Sequence, residues 1–137
     1  MAIFRDAQEV YDVLGTFLHE ITKAPDLQAK FASSKTSFLV NQTDPDCQIL
    51  VDCTTDPPRV VTAPEGETAE IQMFMSSDDG HKFWLGELNA PIALAKKQIK
   101  VKGPLSKLMK LLPAVQPAFP RYRAFLEERG YADKLTS

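Results

Sequence analysis

The sequence predicts an α+β fold: a five-stranded, mostly antiparallel sheet with helices on one face, in a single domain spanning residues 1–137. Three observations predict it. An amphipathic helical pattern opens the chain. Four short segments of period-two alternation come next. Short helical pieces punctuated by proline and glycine then surround a fifth such segment. The composition agrees, since 44% apolar and 25% charged residues in 137 positions suit one domain with its own core.

The opening helix is expected from about Asp6 to Lys23. Ile3, Ala7, Val10, Leu14, Phe17 and Ile21 recur at alternating steps of four and three, which places them on one face. Glu9, Asp12, Thr16, Glu20 and Lys23 take the opposite face. Pro25 and Asp26 end the helix or restart a short turn through Lys30.

Thr36–Asn41 reads as the first strand, with Phe38 and Val40 on one face. Gln48–Thr54 reads as the second, with Ile49, Val51 and Cys53 opposite Asp52 and Thr54. Such alternation predicts a sheet covered on one side only. Thr43-Asp44-Pro45-Asp46 is turn chemistry and joins the two as a hairpin. Arg59–Thr62 is a third strand after Asp56-Pro57-Pro58. Glu70–Met75 is a fourth, with Ile71, Met73 and Met75 alternating against Gln72 and Phe74.

Ser76-Ser77-Asp78-Asp79 is a helix start: a serine cap with acids in the first turn. The helix it opens carries Phe83, Trp84, Leu85 and Leu88. Pro91 opens another short helix over Ile92–Lys96. Gln98–Lys102 is the fifth strand, with Ile99 and Val101 on one face and Lys100 and Lys102 on the other. After Gly103-Pro104, Leu105, Leu108, Met109 and Leu112 form a helical stripe opposite Lys107 and Lys110. Leu111 and Leu112 cannot both face one narrow stripe, so that helix end is expected to line a second apolar surface. Pro113, Pro117 and Pro120 break the chain beyond it. A last helix runs from Arg121 to Arg129, with Phe125 and Leu126 inward, and stops at Gly130.

The charge of −2 hides an asymmetry. From Asp44 to Asp79 there are nine acids and one base, Arg59. From Leu88 to Leu126 there are eight bases and no acid, among them Lys96, Lys97, Lys100, Lys102, Lys107 and Lys110. A chain-wide balance near zero argues against a nucleic-acid binder, while the local excess gives one surface a preference for anions. No uncharged run approaches the ~20 apolar residues that span a bilayer. Acidic Asp6, Glu9 and Asp12 stand where the apolar core of a signal peptide would lie, and two cysteines are too few to staple the domain. A cytoplasmic, reducing location is the expectation.

Catalytic and metal signatures are lacking: there is no G-x-S-x-G, no G-x-x-x-x-G-K and no H-E-x-x-H. His19 and His81 are read as exposed or capping residues. Cys47 and Cys53 stand at opposite ends of one strand, ~20 Å apart, beyond the ~7 Å reach of a disulfide. Cys53 is read as a small core residue. Asp78-Asp79 is read as a helix start, and no catalytic residue, cofactor or metal is assigned.

What stands out is the apolar crowding between Phe74 and Leu126. Any one of these residues suits a plain core. Together, on short helices, they also suit a hydrophobic tunnel between sheet and helices, gated by the helices. Met73, Met75 and Met109 would adapt such a cavity to ligands of varied shape. The expected lining is Phe74, Phe83, Trp84, Leu88, Ile92, Leu105, Leu108, Met109, Leu112 and Phe119. Lys100, Lys102, Lys107 and Lys110 are expected to meet a lipid headgroup or an anionic membrane surface.

Glu70–Leu112 resembles the sterol carrier protein-2 (SCP-2) domain. The resemblance is carried by the strand Ile71-Gln72-Met73-Phe74-Met75 and the Ser76-Ser77-Asp78-Asp79 helix start. Trp84-Leu85-Gly86-Glu87-Leu88 comes next with Pro91 and Ala95, then the basic segment Lys97-Gln98-Ile99-Lys100-Val101-Lys102-Gly103 before an apolar helix. The amphipathic helix and strands upstream extend it to roughly the whole chain. The resemblance implies a five-stranded sheet and helices around an apolar cavity that holds fatty acid, fatty acyl-CoA, sterol or another lipid, with no catalytic residue. The animal members' peroxisomal Ala-Lys-Leu is replaced by Asp-Lys-Leu-Thr-Ser, so peroxisomal import is not expected. The expected activity is binding and transfer of a hydrophobic ligand. The alternative is an accessory or dimerisation domain on the same fold without lipid cargo. An enzyme would require His81, Asp78 and Asp79 to converge on the cavity mouth.

Overall fold

The computed structural model describes residues 2–135, so the last two residues of the Asp-Lys-Leu-Thr-Ser ending lie outside it. The first helix has three parts in unbroken helical backbone: α1 (Ala7–Val10), one π turn (Tyr11–Gly15) and α2 (Thr16–Ile21). Asp6 caps it, its carboxylate accepting from the Glu9 N–H at 2.9 Å. The π turn widens the inward stripe, so Val13 and Leu18 are buried beside Val10, Leu14, Phe17 and Ile21. Gly15 lets this turn touch β3 (Arg59–Thr62): a Cβ there would stand 2.7 Å from Thr62 Cγ2. A short α3 (Gln28–Ser33) comes next, with Phe31 inward.

The other strands are β1 (Ser37–Thr43), β2 (Cys47–Asp52), β4 (Ile71–Ser76) and β5 (Lys100–Lys102). All five form one sheet in the order β3-β2-β1-β4-β5. Three of its pairings are antiparallel; β1 and β4 run parallel, with Val40 opposite Met73. The parallel pair arises from the link between β3 and β4, residues 63–70, which crosses over β2 and β1.

That crossover corrects the expectation of a sheet covered on one side. Leu39 and Leu50 face each other across β1 and β2 on the face away from the helices, yet both are buried. Arg59 and Asp52 share this face. Glu67 reaches back to Arg59 at 2.8 Å, and the Glu70 N–H donates to Ser37 Oγ at 2.9 Å. These contacts lay the crossover across that face, above Leu39 and Leu50.

The rest of the chain returns to the helical side. Ser76 caps α4 (Ser77–Trp84), its Oγ accepting from the Asp79 N–H at 3.0 Å, as the sequence predicts. Gly86, at φ +78°, turns the chain out of that helix. Asn89 caps α5 (Ala90–Ala95). After β5, α6 (Leu105–Val115) runs straight through Pro113, and α7 (Ala118–Glu128) carries Pro120 in its first turn. The expected break at Pro113 and Pro120 therefore falls at the single junction around Gln116 and Pro117. A proline in a first turn loses no helical hydrogen bond. Phe125 and Leu126 are buried and Gly130 ends the helix, as the sequence predicts.

Candidate functional site

The inward residues of the sheet and the helices opposite do not close on each other. They leave an apolar cavity of about 110 Å³. Phe38, Val40 and Gln42 of β1, Ile49 and Val51 of β2, and Met73 and Met75 of β4 form the sheet wall. The period-two alternation placed all but Gln42 on that face. Leu14, Leu18 and Phe31 close one side; Gly80, Phe83 and Trp84 of α4 close another. Ala90 and Leu94 of α5, Ile99, and Leu108, Leu111, Leu112 and Val115 of α6 form the cover. Among the described residues no charged side chain lines the space, and apart from the Trp84 indole N–H, Gln42 brings the only polar side-chain group.

The structure brings four of the ten expected lining residues to this cavity: Phe83, Trp84, Leu108 and Leu112. Phe74 does not line it, because Met73 and Met75 point inward and the residue between them must point outward; the Lys102 ammonium lies over its ring at 5.5 Å. Phe119 sits one layer back, edge-on to Phe83 at 5.4 Å and Trp84 at 6.3 Å. Leu88 lies beyond the Gly86 turn, outside the lining. Ile92, Leu105 and Met109 are solvent-exposed, at 51%, 45% and 38%. The α6 stripe is therefore Leu108, Leu111, Leu112 and Val115, because the helix continues to Val115 and its second half decides which side faces in. Leu111 and Leu112 both line the one cavity, contrary to the expected second surface.

The four lysines do not form one cluster. Lys100 and Lys102 stand on the outward face of the sheet, Lys110 is exposed on α6, and Lys107 pairs with Glu70. Arg121 pairs with Asp26 and Arg123 with Glu87. Three of the eight bases of the acid-free stretch are thus answered in space by acids from elsewhere. A shallow depression beside β5 is lined by Leu94, Lys97, Ile99, Lys100, Val101 and Leu105. Leu94 and Ile99 line both this depression and the cavity, so they form the partition between them.

On its other flank, α4 makes a different contact. His81 is fully buried, against the expectation of exposure. Its Nε2–H donates to the Lys134 carbonyl at 2.7 Å and its Nδ1 accepts from the Tyr122 hydroxyl at 2.7 Å. Burial holds the imidazole below its ordinary pKa, and so neutral, and pushes the Tyr122 phenol up. The Lys134 ammonium bonds Glu9 at 3.2 Å and the Ile3 carbonyl at 3.2 Å. Burial raises the Glu9 carboxyl, but the Arg5 N–H and Lys134 outweigh it and hold it below the usual range. Asp78 accepts from the Ile3 N–H at 2.9 Å, and Asp79 accepts from Gln98 at 3.0 Å. His81, Asp78 and Asp79 therefore do not converge on the cavity. Sequence reasoning missed this network because Lys134 and Tyr122 lie far from His81 along the chain, with no local pattern to mark them.

Both cysteines are free and buried. Burial raises the Cys47 thiol and pushes Cys53 up to about 11, so neither is an activated nucleophile. Among the described residues no group of three or more His, Cys, Asp or Glu could hold a metal, and no helix is long and apolar enough to cross a membrane.

A mixed sheet with helices walling an apolar cavity makes a space that can hold a hydrophobic molecule. The chain belongs to the SCP-2 sterol transfer family, whose model matches residues 14–116. No curated protein matches the sequence. Among solved structures, sterol carrier protein domain 2 of Helicoverpa armigera superposes with a TM-score of 0.66 at 16% identity, over 82% of this chain and 89% of that one. The apo sterol carrier protein 2 of Yarrowia lipolytica gives a TM-score of 0.57 at 20% identity, over 85% and 98%. A stereoselective inverting sec-alkylsulfatase from Pseudomonas sp. gives 0.54 at 13% identity, covering 63% of this chain but 14% of its own. At these identities the likeness is one of fold.

Proposed function

We propose that this domain binds a hydrophobic ligand in the cavity between sheet and helices and carries it without chemical change. One observation carries the reading: a partly open apolar space among some twenty lining residues, none of them charged. Burial of apolar ligand surface there is worth about 2.5 kcal/mol per 100 Å², with no polar contact required. At about 110 Å³ the cavity is small beside the ~300–1,000 Å³ of typical ligand sites. A fatty acid, acyl chain or sterol therefore needs one wall to move. The wall that yields is α5 with α6, opening at Leu94 and Ile99 toward the depression beside β5.

The same region meets the membrane. Exposed Ile92, Leu105 and Met109 enter the interface, while Lys97 and Lys100, which line the depression, contact anionic headgroups at about 1 kcal/mol each. Two buried free thiols support a cytoplasmic, reducing setting.

Native mass spectrometry of freshly purified protein, with organic extraction of the bound material, tests the reading. A stoichiometric co-purified lipid is expected. A clean apo mass, unshifted by fatty acid, sterol or acyl-CoA, with concentration-dependent dimerisation, would move the assignment to an accessory domain, a reading in keeping with the same fold inside the much longer alkylsulfatase chain. Placement is tested by substitution with a fatty acid supplied in solution, without membranes: Leu108→Arg abolishes its binding by the folded protein, whereas Met109→Arg changes it less than about twofold.

A further inference from the structure

Gln42 is the one amide in the cavity wall, and it is buried, being 6% exposed. Its Oε1 accepts from the Cys47 thiol at 3.3 Å. Cys47 also lies 3.6 Å from Ser77 Oγ, which donates to the Pro45 carbonyl at 2.9 Å. The Cys47 contact thus holds the amide with its Nε2 against Gly80, itself a residue of the cavity wall. Among the described residues Nε2 makes no hydrogen bond, yet it is not sealed from solvent: the fully buried side-chain polar atom without a partner is Thr36 Oγ1, not this one. Gly80 makes room for it: a Cβ there would stand 2.2 Å from Nε2. Met75 Sδ, also on the cavity wall, lies 3.6 Å from the same point.

An N–H that opens onto a small apolar-walled space is poorly hydrated, and an acceptor carried in by a ligand answers it better than the little water such a space holds. We propose that Gln42 is a specificity-determining residue. Its Nε2–H donates to an uncharged oxygen, an alcohol or a ketone carbonyl, at the end of an otherwise apolar ligand seated between β1, β4 and α4. An ionised carboxylate does not suit this end, because one amide cannot replace its hydration and no cation lines the cavity. The inference rests on the ligand-binding reading above and adds to it which end of the ligand goes in and what that end carries.

Trp84 is the only tryptophan in the chain and lines the cavity, so its fluorescence reports occupancy. The test titrates wild type, Gln42→Leu and Gly80→Ala with octane, 1-octanol, octan-2-one and octanoate at pH 8. Wild type is expected to bind the alcohol and the ketone about tenfold more tightly than the alkane, the worth of one neutral hydrogen bond, and octanoate no better than the alkane. Gln42→Leu is expected to bring the three uncharged ligands within about twofold of one another. Gly80→Ala does the same by displacing the amide while leaving residue 42 in place, and serves if Gln42→Leu fails to fold. Equal preferences in wild type and both variants overturn the proposal and leave the binding reading standing. A gain for the alcohol with none for the ketone overturns the donor role of Nε2. No response to any probe in wild type, together with a clean apo mass, overturns the binding reading itself.

Discussion

The two flanks of α4 bury their side chains in opposite ways. On one flank every polar group of His81, Tyr122, Glu9 and Lys134 finds a partner, and the contacts tie the first residues of the fold to the last. On the other, Gly80, Phe83 and Trp84 face space that no protein atom fills, and the Gln42 amide nearby has an N–H with no hydrogen bond to the described residues. A satisfied polar network fixes a single arrangement, whereas an unfilled apolar space leaves room for a second molecule. One helix thus separates the part that holds the fold from the part that can accept a ligand.

That separation can be broken from either side. The largest effect is expected at Lys134. Lys134→Ala leaves the buried Glu9 carboxylate with Arg5 as its remaining partner and removes the bond to the Ile3 carbonyl, which costs about 2 kcal/mol of stability in denaturant unfolding. Lipid affinity of the folded fraction stays unchanged; a large loss of affinity would show that the two flanks are coupled. The mirror experiment is Leu111→Trp, which fills the cavity from a partly exposed position. It should lower lipid affinity at least tenfold while moving stability by less than about 1 kcal/mol.

Acid probes the first flank alone. The folded His81 pKa lies below its ordinary value of 6.5, so the unfolded chain binds a proton that the folded one refuses. Stability is full above about pH 6.5 and falls as pH drops below it, by up to about 1.4 kcal/mol per pH unit. The lowered Glu9 pKa adds a second loss below about 4.5. Thermal melts from about pH 3 to 7.5 check both losses, and His81→Gln flattens the profile in its upper part. The smallest effect is expected at Lys107→Ala, which removes only a surface pair with Glu70 and shifts stability by under about 0.5 kcal/mol.

Most of the fold was legible in the sequence because its signals are local. Period-two alternation placed Phe38, Val40, Ile49, Val51, Met73 and Met75 on one face, and Ser76 with Asp78 and Asp79 marked the start of α4. The illegible part depends on elements far apart. The crossover at 63–70 buries Leu39 and Leu50 on a face that looked solvated. The rotation of α6 depends on where the helix ends, beyond Pro113, which reads as a stop. Leu105 and Met109 thus passed for inward residues, and Leu111 and Val115 did not. Phe74 was legible in principle, since its own strand alternation turns it outward. Gln42 was hidden by its chemistry, because a polar residue at the end of a strand reads as exposed until α4 is seen to pass over it.

The bond between Lys134 Nζ and the Ile3 carbonyl, 3.2 Å long, brings positions 131 residues apart in the chain within touching distance. The fold is in effect a closed loop lacking one covalent link. A few linker residues would join these positions, and new ends could be opened at Gly66, where a side chain would meet nothing within 4 Å. In such a permuted chain the cavity wall would keep its residues and only their order of synthesis would change. This is a direct way to ask whether the helix at the front must form before the sheet it covers.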